Sequence, residues 1–156
     1  MFGMDLRLCS LKLRISENNM KYQKLIIYTD GGARGNPGPA GVGVVIYDEN
    51  NKVVQELGEY IGEQTNNQAE YKALILGLVR AKTLGAEELV CYLDSELVVK
   101  QMQGKYKVKN ANMKPLYKEA VEMAGYFKQI SYAHVVREKN TEADRLVNEA
   151  IDEEMG

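Results

Sequence analysis

Lys24-Leu-Ile-Ile-Tyr-Thr-Asp30 runs directly into Gly31-Gly-Ala-Arg-Gly-Asn-Pro-Gly-Pro-Ala40. The first seven residues alternate in polarity and are rich in β-formers, so they read as a strand that ends on an aspartate. The next ten hold four glycines and two prolines, which reads as a loop. Working outward, a second strand is expected at 41–47, a turn at Asp48-Glu-Asn-Asn51 and a third strand at 53–61. Thr65-Asn-Asn-Gln68 has capping-box spacing and opens a helix to about Leu84, with Gly85 as its stop. Residues 88–93 form a fourth strand, and Ser95 begins a short helix to about Gln103. A helix from about Asn112 to Phe127, a strand at 129–137 and a last helix capped by Asn140 or Thr141 complete the chain. The order β-β-β-α-β-α-α-β-α predicts an α/β fold, with a five-stranded mixed sheet and helices on both faces.

Composition narrows the classes. The chain has 156 residues, 45% hydrophobic and 27% charged, which suits one ordinary globular domain. No apolar run of about 18 residues exists, so no membrane association is expected. Twenty basic and 22 acidic residues leave a net charge of −2, so any nucleic-acid contact must come from a local patch. The two cysteines, Cys9 and Cys91, have neither metal-like nor redox-like spacing and read as reduced thiols of a cytoplasmic protein. His134 is the one histidine, so a metal site here would use hard carboxylate oxygens.

Residues 1–19 differ from the rest. Asp5–Ile15 alternates roughly, Ser16-Glu-Asn-Asn19 breaks the pattern, and Met20 stands just before the first clear strand. An extra strand, an interaction tail and a translation artefact compete as readings. A peripheral or artefactual extension is favoured, with the functional domain at 20–156.

Four acidic residues stand out. Asp30 and Asp94 each end an apolar strand, while Glu70 and Asp144 lie in the first turns of helices. Singly, a strand-end Asp is often a turn residue and an acid in a first turn complements the helix dipole. Together they suggest one site. In open α/β sheets ligand sites gather at the carboxyl ends of strands, where adjacent parallel strands would bring Asp30 beside Asp94. Clustered carboxylates repel one another, and Mg²⁺ relieves that repulsion while binding substrate phosphate. Two such ions about 3.5–4 Å apart suit an in-line phosphodiester displacement.

The motifs around these acids resemble those of type 1 ribonuclease H. Thr29-Asp-Gly-Gly-Ala-Arg-Gly-Asn-Pro-Gly-Pro-Ala-Gly41 resembles that family's signature loop. Thr65-Asn-Asn-Gln-Ala-Glu-Tyr71, Leu93-Asp-Ser-Glu-Leu-Val98 and Glu138-Lys-Asn-Thr-Glu-Ala-Asp-Arg-Leu146 resemble its later motifs, in order, across about residues 21–149. The flavour is that of the short bacterial and archaeal branch. The resemblance implies a ribonuclease H-like fold and an endonuclease that cuts the RNA strand of RNA·DNA hybrids, leaving 5′-phosphate and 3′-hydroxyl ends. It implies two Mg²⁺ ions, with Mn²⁺ as a substitute, held by Asp30, Glu70, Asp94 and Asp144. Asp30 would bridge the ions, and Glu70 would also sense a 2′-hydroxyl. Gly31, Asn36, Thr65, Asn66, Asn67 and Ser95 match substrate-contacting positions. Neutral donors of this kind suit a wide A-like minor groove that displays 2′-hydroxyls. For the Asn66-Asn67 pair, simple helix capping is the competing reading.

The chain departs from that family in three ways. Many members carry a histidine in the loop before the last motif. Here that loop reads Val136-Arg-Glu-Lys-Asn140, with Arg137 or Glu138 as partial replacements, and His134 reads as a structural strand residue. Glu96 stands where many relatives have glutamine, and its charge is expected to weaken substrate binding. The large basic protrusion of some relatives is absent. A segment with Lys105, Lys107 and Lys109 is a candidate phosphate-tracking patch, with a solvated lysine-rich loop as the plain alternative. A catalytically weak or inactive hybrid-binding module, and a related nuclease acting also on double-stranded RNA, are the alternative functions. A monomer is expected, because no apolar interface stripe is visible.

Overall fold

Leu25, Ile27 and Thr29 point to one face of strand β1 (Lys24–Ala33), and Ile26, Tyr28 and Asp30 point to the other. The computed structural model describes residues 22–156, so the readings made for residues 1–19 lie outside the described residues. β1 is the middle of a five-stranded sheet ordered β3-β2-β1-β4-β5. It pairs antiparallel with β2 (Gly38–Tyr47), which pairs antiparallel with β3 (Val53–Gln64). On its other side it runs parallel to β4 (Glu88–Leu93), which runs parallel to β5 (Gln129–His134). The sheet is mixed, as the element order predicts.

Helix α1 (Asn66–Thr83) lies across β1 and β2 on one face. Its start is the expected capping box: Thr65 Oγ1 accepts from Gln68 N–H, and Gln68 Oε1 accepts from Thr65 N–H. Leu74 and Leu78 join Leu25, Ile27 and Val44 in the core. The helix is buried over more than one face, because α3 (Lys114–Ala124) covers the side turned away from the sheet. Short helix α2 (Glu96–Met102) follows β4 and is capped by Ser95, as expected. Helix α4 (Thr141–Met155) packs on β2, β3 and β1 from the opposite face, so helices cover both sides.

Several boundaries differ from the sequence reading. β1 continues through the glycines to Ala33, and β2 begins at Gly38, because Gly31, Gly32 and Ala33 pair with Val42, Gly41 and Ala40. The partner strand decides this pairing against local propensity. β3 extends to Gln64 in the same hairpin register. α3 starts at Lys114, where Pro115 suits a first turn that needs no N–H. β5 stops at His134, and Arg137–Lys139 form a 3₁₀ turn. His134 is therefore a rim residue at a strand end, half-exposed, with Nδ1 4.0 Å from Glu96 Oε2. The side chain of Asn140 does not cap α4.

Candidate active site

Two glycines explain how distant segments meet at Asp30. A Cβ on Gly31 would lie 2.1 Å from the Ala69 carbonyl oxygen, so only glycine lets α1 press onto β1 there. That contact brings Glu70 to the strand, where its Oε1 accepts the Gly31 N–H at 2.8 Å. Gly43 is the cross-strand partner of Asp30. A Cβ on Gly43 would lie 2.2 Å from the Ala143 carbonyl oxygen, so α4 docks directly beside Asp30 and delivers Asp144. Asp94 arrives by register: Thr29 pairs with Leu93, and each is followed by an aspartate.

Carboxylate oxygens of Asp30, Glu70 and Asp94 lie within 4.8 Å of one another. Asp144 is outside that set but lines the same cleft and is held 3.5 Å from the exposed Arg137 guanidinium. Asp30 and Glu70 are buried, at 6% and 7% exposure, and Asp94 is half-buried. Burial is the main reason that the Asp30 carboxyl is pushed up to about 8. The charges of Asp94 and Asp144 add to it, and a hydrogen bond with Glu70 works the other way. Burial, then the charges of Asp30 and Asp94, also drives Glu70 well above the carboxylate range. All donors in the cluster are carboxylate oxygens, and ionising them together without a cation is costly. Such a set fits a hard divalent cation such as Mg²⁺ or Mn²⁺ and not a thiolate- or imidazole-loving metal.

The carboxylates open into a cleft of about 570 Å³. Asn66 and Asn67 form one wall with Ser95, and Gly31, Gly32 and Ala33 lie between that wall and α4. Asn36 and Asn66 are tied together: Asn66 N–H donates to Asn36 Oδ1 at 3.0 Å, and Ala33 N–H donates to Asn66 Oδ1 at 2.9 Å. Each side-chain oxygen is thereby occupied, while both amide NH₂ groups are left unpaired among the described residues. Thr65 is spent on the capping box and Ser95 Oγ on the α2 cap, and the Gly31 N–H is taken by Glu70. Arg34 and Asn148 also line the cleft, and sequence reasoning missed them. Arg34 bridges from the hairpin loop to Asp152 at 2.7 Å and to Asn148, a link between segments 114 residues apart that no local pattern announces.

Other expected residues lie outside the cleft. Glu96 does not line it, and its carboxylate sits 3.8 Å from Lys100 and 4.0 Å from His134. Lys105, Lys107 and Lys109 are exposed on the segment between α2 and α3. Glu138 is exposed on the 3₁₀ turn.

A sheet of this order with carboxylates at the end of its central strand defines a ribonuclease H-like fold. A family model described as "Reverse transcriptase-like" matches residues 28–150. A bifunctional protein of Mycobacterium tuberculosis is 48% identical over 130 residues, covering 83% of this chain and 36% of that protein. The chain thus spans about a third of that relative's length. The relative's N-terminal RNase H domain superposes with a TM-score of 0.82 over 84% of this chain and 95% of that one. Ribonuclease H of Pseudomonas putida is 33% identical over 141 residues, covering 81% of this chain and 93% of that protein. LC11 ribonuclease H1, solved in complex with an RNA/DNA hybrid, has 48% identity and a TM-score of 0.81 over 85% of this chain and 99% of that one. The chain belongs to the ribonuclease H family.

Proposed function

We propose that this chain hydrolyses the RNA strand of RNA·DNA hybrids, leaving 5′-phosphate and 3′-hydroxyl ends. The observation that carries the reading is the trio of carboxylates within 4.8 Å at the floor of a cleft walled by asparagines. Asp30, Glu70 and Asp94 would hold divalent cations, with Asp144 completing the set from α4. Two bound Mg²⁺ ions, or Mn²⁺ in their place, would supply charge neutralisation of the scissile phosphate and a more acidic water. The protein's own groups do the rest. Asp30 and Glu70, costly to ionise alone, keep the site protonated and intact until positive charge arrives. Asn36 and Asn66 present NH₂ donors fixed by their engaged oxygens, and such donors suit the 2′-hydroxyls and base acceptors of a wide minor groove. Reading those groups needs no base sequence, which fits an enzyme selective for helix type. Asn67 and Ser95 widen that surface, while Gly31 and Thr65 act by shaping it.

Arg137 holds Asp144 in the resting protein. It is the loop's natural partner for the leaving group's charge or for the product phosphate, the task that a histidine performs in many relatives, with Glu138 beside it. Lys105, Lys107 and Lys109 would follow the phosphates of one strand away from the cut. The test is cleavage of an end-labelled RNA·DNA hybrid beside matched double-stranded RNA and double-stranded DNA, with Mg²⁺, Mn²⁺ or EDTA. Metal-dependent cutting of the RNA strand of the hybrid is expected. Tight hybrid binding without cutting under both metals would replace the enzyme with a binding module, and equal cutting of double-stranded RNA would widen the substrate class.

A further inference from the structure

We infer that Asn140 is a positioning residue that holds Asp144 against Asp30, an inference that rests on reading the acidic cluster as the cutting centre. Asn140 stands between the 3₁₀ turn and α4, where an asparagine would ordinarily cap the helix. It makes no such cap. Its side chain is turned inward at 2% exposure, and its Nδ2 donates to the carbonyl oxygen of Thr29 at 2.9 Å. Thr29 is the last β1 residue paired with β4 and the immediate neighbour of Asp30. The amide of Asn140 thus supplies a hydrogen bond to β1 at the point where the parallel ladder ends. The main chain of Asn140 completes the link. Its carbonyl accepts the Asp144 N–H at 3.1 Å, and its N–H donates to the Arg137 carbonyl at 2.9 Å. One buried residue therefore joins the neighbour of Asp30, the backbone of Asp144 and the residue whose guanidinium contacts Asp144.

The geometry gives this link a separate task from the glycine contact. The approach of Ala143 to Gly43 sets how close α4 comes to the sheet. It does not by itself fix the helix along its axis, where one residue of slip moves Asp144 by about 1.5 Å and turns it by about 100°. A hydrogen bond from the residue at the head of the helix to a fixed strand carbonyl removes that freedom. The side chain of Asn140 is only half satisfied, because its Oδ1 is buried and accepts no hydrogen bond from the described residues. A leucine of similar size would remove that unpaired oxygen, and it would also take the amide donor away from the Thr29 carbonyl. The two effects on stability oppose each other, so a loss of Mn²⁺ affinity or kcat in a folded leucine variant reports placement and not packing.

The experiment uses the full chain with Asn140→Leu and Asn140→Ala, each alone and combined with Asp144→Ala, and folding checked by far-ultraviolet circular dichroism. Two single variants are made so that either folded one decides the matter. Mn²⁺ affinity is measured by calorimetry on the protein without nucleic acid, and kcat and KM are measured on an RNA·DNA hybrid. Each folded single variant should lose about 10–100-fold in Mn²⁺ affinity or in kcat, the size seen when a ligand's supporting partner is removed. KM should stay within about twofold. The loss should vanish when Asp144 is already alanine, because the two residues then act as one unit. Wild-type Mn²⁺ affinity and kcat in a folded variant would overturn the inference, as would an equal loss in the Asp144→Ala background. Failure of the wild-type chain to cut the hybrid would strike the proposed function instead, and the Mn²⁺ arm would still decide the role of Asn140.

Discussion

Replacing Asp30 with asparagine should make the metal-free protein more stable while removing its activity. Asp30 is 6% exposed, and its carboxyl is pushed from an ordinary 3.8 up to about 8 by burial and by its acidic neighbours. The unfolded chain releases this proton near pH 4, whereas the folded chain keeps it until about pH 8. Between those values the unfolded state binds fewer protons, so stability falls as pH rises. The stabilising contribution is whole below about pH 4 and is lost progressively up to about pH 8. At pH 7 the penalty amounts to about 4 kcal/mol if Asp30 bears it alone. Glu70 shares the burden, so Asp30→Asn should recover about 2–3 kcal/mol, or about 5–10 °C in Tm for a chain of this size. The assay is urea unfolding followed by circular dichroism, in EDTA, from pH 5 to pH 8. Wild-type stability should decline across that range and the variant's should change less. Added Mg²⁺ should narrow the gap by stabilising the wild type. A variant less stable than wild type at pH 7.5 in EDTA would show the opposite, a carboxyl that contributes stability and does not cost it.

Gly31→Ala should cost about 3 kcal/mol or more in a urea titration, because its Cβ would meet the Ala69 carbonyl at 2.1 Å and force α1 off the strand. Asn66→Ala should lose about 1 kcal/mol of stability with its bond from Ala33 and also raise KM several-fold. Asn67→Ala, which breaks no such internal bond, should raise KM while leaving the urea midpoint in place. Replacing Lys105, Lys107 and Lys109 together by alanine should flatten the plot of log hybrid affinity against log salt by about two to three in slope. An unchanged slope would assign that segment to plain solvation.

Much of this site can be read in the sequence because its parts obey local rules. Alternation in Leu25–Asp30 and in Leu89–Leu93 fixes which side chains point together, and the parallel pairing of Thr29 with Leu93 sets the aspartate that follows each of them side by side. The Thr65–Gln68 capping box marks the start of α1 and so places Glu70 in its first turns. What local rules do not show is contact between distant segments. The glycines at 31–32 read as loop, yet they are strand because Val42 and Gly41 pair with them, and glycine at 31 is what admits α1. Asn140 reads as a cap, yet its amide is claimed by Thr29, 111 residues away. Glu96 reads as a charge aimed at substrate, but Lys100 and His134 face it outside the cleft. The last strand is read three residues too long, because alternation continues into a segment that coils into a 3₁₀ turn and brings Arg137 to Asp144.

The most direct test of the central claim is single-turnover cleavage of an RNA·DNA hybrid by the wild type and by Asp94→Asn, with hybrid affinity and circular dichroism measured on both. Asp94 is the half-buried member of the trio, so its amide variant should fold like the wild type. Asp94→Asn should bind the hybrid within a few-fold of wild type and cut it at least about 1,000-fold more slowly, a loss of roughly 4 kcal/mol of transition-state stabilisation. Cutting at the wild-type rate by a folded Asp94→Asn protein would contradict it.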